Sequence, residues 1–282
     1  MKKLTLCLFI VLSAGFVHAQ TFRIATYNMR YDNAGDSLNA WKQRLPVIIQ
    51  MIAFYDFDIF GGQEILFNQR EDLSKNLPGY DYIGVGRDDG DKKGEFSPIY
   101  FKTDKFRLLK KGTFWLAETT DKPVKGWDAA LPRICSWGEF EEKKSGLKFY
   151  VFNTHFDHRG VQARKESARL ILDKIKTIAG SAPVVLTGDF NVDQFNESYA
   201  LLHTSGILKD AYTTAEIKLT PNGTFNSFDI TSKTDRRIDH IFLTSAFRVK
   251  RYGILTDSYN GKFPSDHFPV LIEVDYIKND MN

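Results

Sequence analysis

Hydrophobic and polar positions alternate over 22–29, where Phe22, Ile24 and Thr26 oppose Arg23, Ala25 and Tyr27 with the period of a half-buried strand. Strands are likewise predicted at 58–64, 80–85, 97–102, 106–116, 133–141 and 147–155, and again at 238–244, 247–255 and 270–276. Residues 183–188 form a continuous apolar run, as in a strand covered on both faces. The period becomes helical over 41–54, with Pro46 expected near the true start because proline has no N–H for the helix interior. Further helices are predicted over 68–76, stopped by Pro78-Gly79, and over 162–178 and 197–203. In the longest, Ala168, Ile171, Leu172, Ile175 and Ile178 share one face. The segments 86–94, 117–132 and 205–235 are polar loops. Many strands interleaved with a few helices, with no linker between them, predict one α/β domain whose elements run from about 21 to 278.

The first residues fall outside this pattern. Lys2 and Lys3 precede an apolar stretch, Leu4 to Val17, too short to span a bilayer, and Val17-His18-Ala19 is a small-residue cleavage pattern. Residues 1–19 are therefore expected to be a signal peptide of bacterial type, leaving a single domain over 20–282 in a secreted or periplasmic protein. No later segment is long and apolar enough to cross a membrane, and nothing in the chain implies an obligate protein partner. Loss of the leader takes the basic count from 38 to 36 against 35 acidic residues, leaving about +1. A protein that grips long nucleic acid through its phosphates carries a basic surplus, so the charge favours a small substrate. Only Cys135 remains after cleavage, so no intrachain disulfide can form, and the thiol reads as a small buried hydrophobe.

Polar residues collect where predicted strands end, the place where α/β folds build sites. Asn28 ends the first strand, and Glu64 follows Gly61-Gly62, two glycines that allow close backbone approach. A carboxylate there suits a hard divalent cation, or equally an ion pair with Arg30. His155 closes a strong strand and is followed by Asp157 and His158. Gly188 is expected to permit a sharp turn that presents Asp189 and Asn191 to one water or phosphate oxygen, although Asp and Asn also serve turns by themselves. Asp239 could orient His267, or pair with Arg236 or Arg237. Asp266-His267 sets an imidazole beside a carboxylate at the mouth of the last strand. Arg133, Arg159 and Trp127 are candidate substrate contacts, each of a type that more often serves surface or packing. No nucleophile elbow, phosphate loop, dinucleotide fingerprint or zinc spacing is present. The acid-rich, amide-containing set favours magnesium or manganese over zinc.

In this order, Asn28, Glu64, His155, Asp189-x-Asn191, Asp239 and Asp266-His267 resemble the endonuclease/exonuclease/phosphatase superfamily, over essentially the whole mature chain. Asn-Thr-His-Phe-Asp-His-Arg-Gly at 153–160 and the stretch Trp127…Pro132-Arg133…Trp137 resemble its secreted or periplasmic bacterial branch. The resemblance implies a four-layer α-β-β-α sandwich, two mixed sheets packed face to face with helices outside. It implies Glu64 as principal metal ligand, with Asn28 and Asp266 near the cation. It further implies that Asp189 and Asn191 position the attacking water or leaving group. His155 and His267 would flank the phosphate, the latter oriented by Asp239, and Glu95 would support His155. The expected activity is Mg²⁺- or Mn²⁺-dependent hydrolysis of a small phosphomonoester or phosphodiester, such as a sugar phosphate, inositol phosphate or lipid head group. An extracellular nuclease and a catalytically silent binding module are the alternatives.

Overall fold

The computed structural model describes residues 21–277. Strand β1 (Thr21–Asn28) leads through a 3₁₀ turn to helix α1 (Trp41–Phe54), then β2 (Ile59–Gln63), helix α2 (Phe67–Asn76), β3 (Tyr80–Ile83) and β4 (Ile99–Lys102). A second run holds β5 (Phe106–Trp115), β6 (Ile134–Glu142), β7 (Lys148–His155), helix α3 (Val161–Ile178), β8 (Val184–Asp189) and helix α4 (Glu197–His203). After β9 (Lys209–Asp210), helix α5 (Ala211–Thr214) and β10 (Ile217–Leu219), the chain closes with β11 (Asp239–Leu243), β12 (Phe247–Ile254) and β13 (Val270–Tyr276). Two mixed sheets result, one of seven strands in the order β10-β12-β13-β1-β2-β4-β3 and one of six in the order β5-β6-β7-β8-β11-β9. The expected signal peptide lies outside the described residues. Among those described, no helix is long and apolar enough to cross a membrane.

Three apolar seams separate four layers. Phe22, Ile24, Ile59, Phe149, Val151, Val185, Ile241 and Ile272 fill the space between the two sheets. Ile48 and Ile52 of α1 and Leu73 of α2 cover the outer face of the seven-stranded sheet, against Tyr27 and Phe60. Ala168, Ile171 and Ile175 of α3 and Leu202 of α4 cover the other sheet, against Phe152, Leu186 and Phe242. The strand period assigns these faces: odd positions of β7 and β8 point between the sheets and even ones toward helices.

Several boundaries differ from the sequence reading, each for a physical reason. Helix α1 begins at Trp41, five residues before Pro46, because its first turn is held by tertiary bonds. Trp41 donates from its indole Nε1 to Asp72 at 2.8 Å, and the fully buried Arg44 donates to four backbone carbonyls. Strand β2 stops at Gln63, and Glu64 beyond it is left-handed (φ 58°). Gly188 makes no turn; it is an extended residue of β8 opposite His240, and a Cβ there would meet the Thr154 carbonyl at 2.6 Å. The polar stretch 205–235 contains β9, α5 and β10, too short to leave a period in the sequence.

Candidate active site

The same alternation that fills the seam with hydrocarbon changes its chemistry at one end. Along β7 the inward positions run Phe149, Val151, Asn153, His155; along β8 they run Val185, Thr187, Asp189. Register then aligns the ends: His155 lies opposite Asp189 in the parallel β7–β8 pair, and Asp189 lies opposite Asp239 in the antiparallel β8–β11 pair. In the facing sheet Asn28 ends β1, beside Gln63 of β2, while antiparallel β13 brings Asp266 and His267 to the same end. Two half-sites from two sheets thus meet face to face.

Below the site the sheets are joined by buried polar bonds. Gln63 Nε2 donates to Asn153 Oδ1 at 2.7 Å and to Thr26 Oγ1 at 3.0 Å, and Asn153 Nδ2 donates to the carbonyls of Gly62 (2.8 Å) and Pro98 (2.9 Å). A Cβ on Gly61 would lie 2.2 Å from Asn153 Oδ1 and 2.3 Å from Thr187 Oγ1. What approaches Gly61 is therefore the opposite sheet.

Above this floor opens a pocket of about 550 Å³. Glu64, Glu95, Asp189 and Asp266 line it with Arg30, Arg133, His155 and His267; Asn191, His158, Tyr31, Leu131, Phe225 and Ile238 complete the wall. His267 is clamped through Nδ1, which donates to Asp239 Oδ2 at 2.9 Å. The Arg alternatives for Asp239 are taken elsewhere, Arg236 pairing with Asp193 and Arg237 with Asp210. Burial opposes a charge on His267, but Asp239 and Asp189 outweigh it and hold the ring well above its ordinary pKa. His155 differs. Burial, reinforced by Arg133, pushes it down to about 3, so the ring is neutral. Asn191 Nδ2 donates to Phe156 O and to His155 Nε2, both at 3.0 Å, which leaves the ring proton on Nδ1, 3.6 Å from Glu95 Oε2. Between the two rings sits Asp189, 3.5 Å from His155 Nε2 and 3.8 Å from His267 Nε2. Burial and then Asp239 raise its carboxyl above the usual range.

Asn28 faces this group as a donor. Its Oδ1 accepts the Arg30 backbone N–H at 3.0 Å, which fixes the amide orientation. Both Nδ2 hydrogens are spent, on Asp189 Oδ2 (2.9 Å) and Glu64 Oε1 (3.2 Å). An amide NH₂ cannot ligate a cation, so Asn28, which the resemblance sets near the cation, here orients two carboxylates. Glu64 and Asp266 suit a hard cation better. Glu64 accepts only that amide and the Tyr31 N–H (3.3 Å), and Asp266 Oδ2 lies 3.8 Å from Arg30 Nη1, leaving oxygen lone pairs toward the pocket. Asp189, Asp239 and His267 also offer ligand atoms within 4.8 Å of one another. An imidazolium between two carboxylates is a proton carrier and not a ligand set, so Glu64 and Asp266 are the better pair.

Two candidate substrate residues lie away from the pocket. Trp127 is half-buried in the loop whose Asp128 accepts the Ala163 N–H (2.6 Å) and Gln162 N–H (3.2 Å) at the start of α3. Arg159 is exposed, its backbone N–H bound to Asp157 Oδ1 at 3.0 Å. Arg133 is buried in the wall, held by Asp157 Oδ2 (3.4 Å) and His158 Nδ1 (3.0 Å). Arg30 reaches the pocket as well, two residues beyond Asn28, where the sequence had offered it only as an ion-pair partner. Tyr31, Leu131 and Phe225 carry no spacing that marks them in the sequence. Three of the pocket residues, Arg30, Glu64 and Asn191, have left-handed backbones (φ 54°, 58° and 50°), strain that non-glycine residues hold where the surroundings dictate geometry.

The sequence model of the family described as Endonuclease/Exonuclease/phosphatase matches residues 25–267. A structure of a Bacteroides thetaiotaomicron mannosyl-6-phosphatase is 52% identical, with a TM-score of 0.89 over 90% of this chain and all (100%) of that one. A second Bacteroides thetaiotaomicron structure, of an endonuclease/exonuclease/phosphatase family protein, is 51% identical, with a TM-score of 0.90 over 92% of this chain and 99% of that one. An uncharacterised protein of Acanthamoeba polyphaga mimivirus is 28% identical over 250 residues, 84% of this chain and 92% of that protein.

Proposed function

We propose that this chain, which belongs to the endonuclease/exonuclease/phosphatase family, hydrolyses the phosphate ester of a small sugar outside the cytoplasm with the help of Mg²⁺ or Mn²⁺. It is a hydrolase of phosphoric esters by family and by its relatives. The observation that carries the sugar ester is the 52% identity to a mannosyl-6-phosphatase across nine-tenths (90%) of the chain. A pocket of about 550 Å³ and a near-neutral charge agree with a compact substrate.

In this reading Glu64 and Asp266 hold the cation, which when bound neutralises charge on the phosphate and the leaving oxygen. The rest is done by the chain. Arg30 and Arg133 add positive charge to the pocket lining. His267 enters protonated with Nδ1 tied to Asp239, which leaves Nε2–H beside the phosphate to pass its proton to the leaving sugar oxygen as the P–O bond breaks. Asp189, made more basic by burial and by Asp239, takes the proton of the attacking water while Asn28 and the Asn191 N–H fix its two oxygens. His155 stays neutral and positions Asn191.

A panel of mannose 6-phosphate, inositol phosphates, bis-p-nitrophenyl phosphate and plasmid DNA, with and without chelator, tests the proposal. We expect sugar phosphate turnover that chelator abolishes and Mg²⁺ restores. Plasmid cut faster than any small ester, or turnover indifferent to chelator, would sink it. Export predicts a mature N-terminus at Gln20, read by sequencing protein recovered outside the cytoplasm.

A further inference from the structure

Phe225 is an aromatic side chain left 42% exposed at the mouth of the pocket, although the backbone around it is held firmly. Its neighbours Thr224 and Asn226 are fully buried, at 0% and 1%. Phe268 N–H donates to the Thr224 carbonyl at 2.7 Å, and the N–H groups of Asn226 and Ser227 both donate to the Asp266 carbonyl, at 2.8 and 3.1 Å. Asn226 Nδ2 adds a bond to Ser265 O at 3.2 Å. The segment is thus stitched to the turn that carries Asp266 and His267. Ser227 and Phe228 follow in left-handed conformation (φ 54° and 58°), a strained exit for two non-glycine residues. The Phe225 ring packs edge-on against the His267 imidazole, centroids 5.0 Å apart. Leu131, 38% exposed, and Tyr31 line the same pocket.

A rigid, strained backbone that displays a ring to solvent is costly for folding, since the ring's apolar area gains little by burial. A ligand that covers the ring offsets that cost. We infer that Phe225 is the platform for the leaving group and selects a pyranose ring, whose C–H face stacks on it beside the phosphate. The ring touches His267, the group placed at the phosphate, so only the first ring after the ester can reach it. A hexose 6-phosphate sets its pyranose one exocyclic carbon from the ester oxygen. A nucleoside 5′-phosphate sets a smaller furanose, with less C–H face, at the same distance and its base a step further away, and glycerol 3-phosphate has no ring.

This inference rests on the phosphoesterase reading, and kinetics separate the two. The wild-type protein with Mg²⁺ is expected to prefer mannose 6-phosphate over glycerol 3-phosphate in kcat/KM. In Phe225→Ala that ratio is expected to fall about tenfold, the size of one lost ring contact, mainly through KM for the sugar ester. Phe225→Trp is expected to keep it. The ratio is internal, so a variant that folds poorly loses both activities together and leaves it in place. A ratio that Phe225→Ala does not move, or a wild type without the preference, overturns the platform. A wild type that favours a nucleoside 5′-phosphate over both overturns the pyranose. A wild type that cleaves no phosphate ester overturns the phosphoesterase reading itself.

Discussion

His155 and His267 flank one carboxylate, yet their surroundings drive them to opposite protonation states. His155 has Arg133 nearby and no hydrogen-bonded carboxylate, so burial leaves it neutral; His267 has Asp239 at 2.9 Å and keeps its proton. On the proposed function the charged His267 and the Asp189 carboxylate between the rings divide acid and base roles at neutral pH, while neutral His155 positions Asn191. The division predicts that Asp239→Asn lowers kcat by about 100-fold or more with KM near wild type, and that it also lowers the melting temperature, because the buried His267 loses the carboxylate that stabilises its charge. Steady-state kinetics beside a thermal melt decide it; a variant with full turnover would remove Asp239 from the proton path. The Asp239–His267 pair was legible in the sequence as a carboxylate and an imidazole at strand ends. Asn28 was legible as a strand-end residue near the cation but not as a donor, because which amide atom faces the site depends on the Arg30 N–H folding back onto its oxygen.

The strand is the element that carries this site, since register sets what each strand end meets. Three adjacent strands put His155, Asp189 and Asp239 in a row, and the facing sheet supplies Asn28, Asp266 and His267. The spacing between the sheets therefore sets the catalytic distances. At Gly61 the opposite sheet comes close, with Asn153 and Thr187 occupying the space a side chain would need. Neither can swing aside without breaking buried hydrogen bonds. We expect Gly61→Ala to cost about 1–3 kcal/mol in chemical denaturation, the range for overpacking a filled interior, and to lower kcat. A variant of wild-type stability and activity would show that the sheets separate freely. The glycine pair before Glu64 was visible in the sequence as a site of close approach. That the approaching group is the opposite sheet depends on Asn153, 92 residues away from Gly61 in the chain.

The whole molecule hides two histidines uncharged, and this sets its response to acid. His155 is held at about 3 and His240 at about 4, in both cases chiefly by burial. In the unfolded chain both return to roughly 6.5. Between these values the unfolded state binds protons that the folded state refuses, so stability is complete above pH ~6.5 and declines as the pH falls toward 4. His267 runs the other way: its contribution is whole below pH ~6.5 and is lost only as the pH rises through its elevated folded value. Urea titrations between pH 7 and 4.5 should show the decline, and His240→Phe should flatten it by up to about 1.4 kcal/mol per pH unit. An unchanged slope would mean that His240 is already charged in the folded protein. The sequence by itself determined an α/β domain and the identity of the polar strand ends, because strand period and chemical type are local properties read along the chain; the sandwich came from the family resemblance of those ends in their order. Only the tertiary structure decided which group each of those ends touches. It made His155 neutral and His267 charged, turned Asn28 into a donor, left Trp127 and Arg159 outside the pocket and brought Arg30 and Phe225 into it. These outcomes follow from burial and from distances across two sheets, which no local pattern encodes.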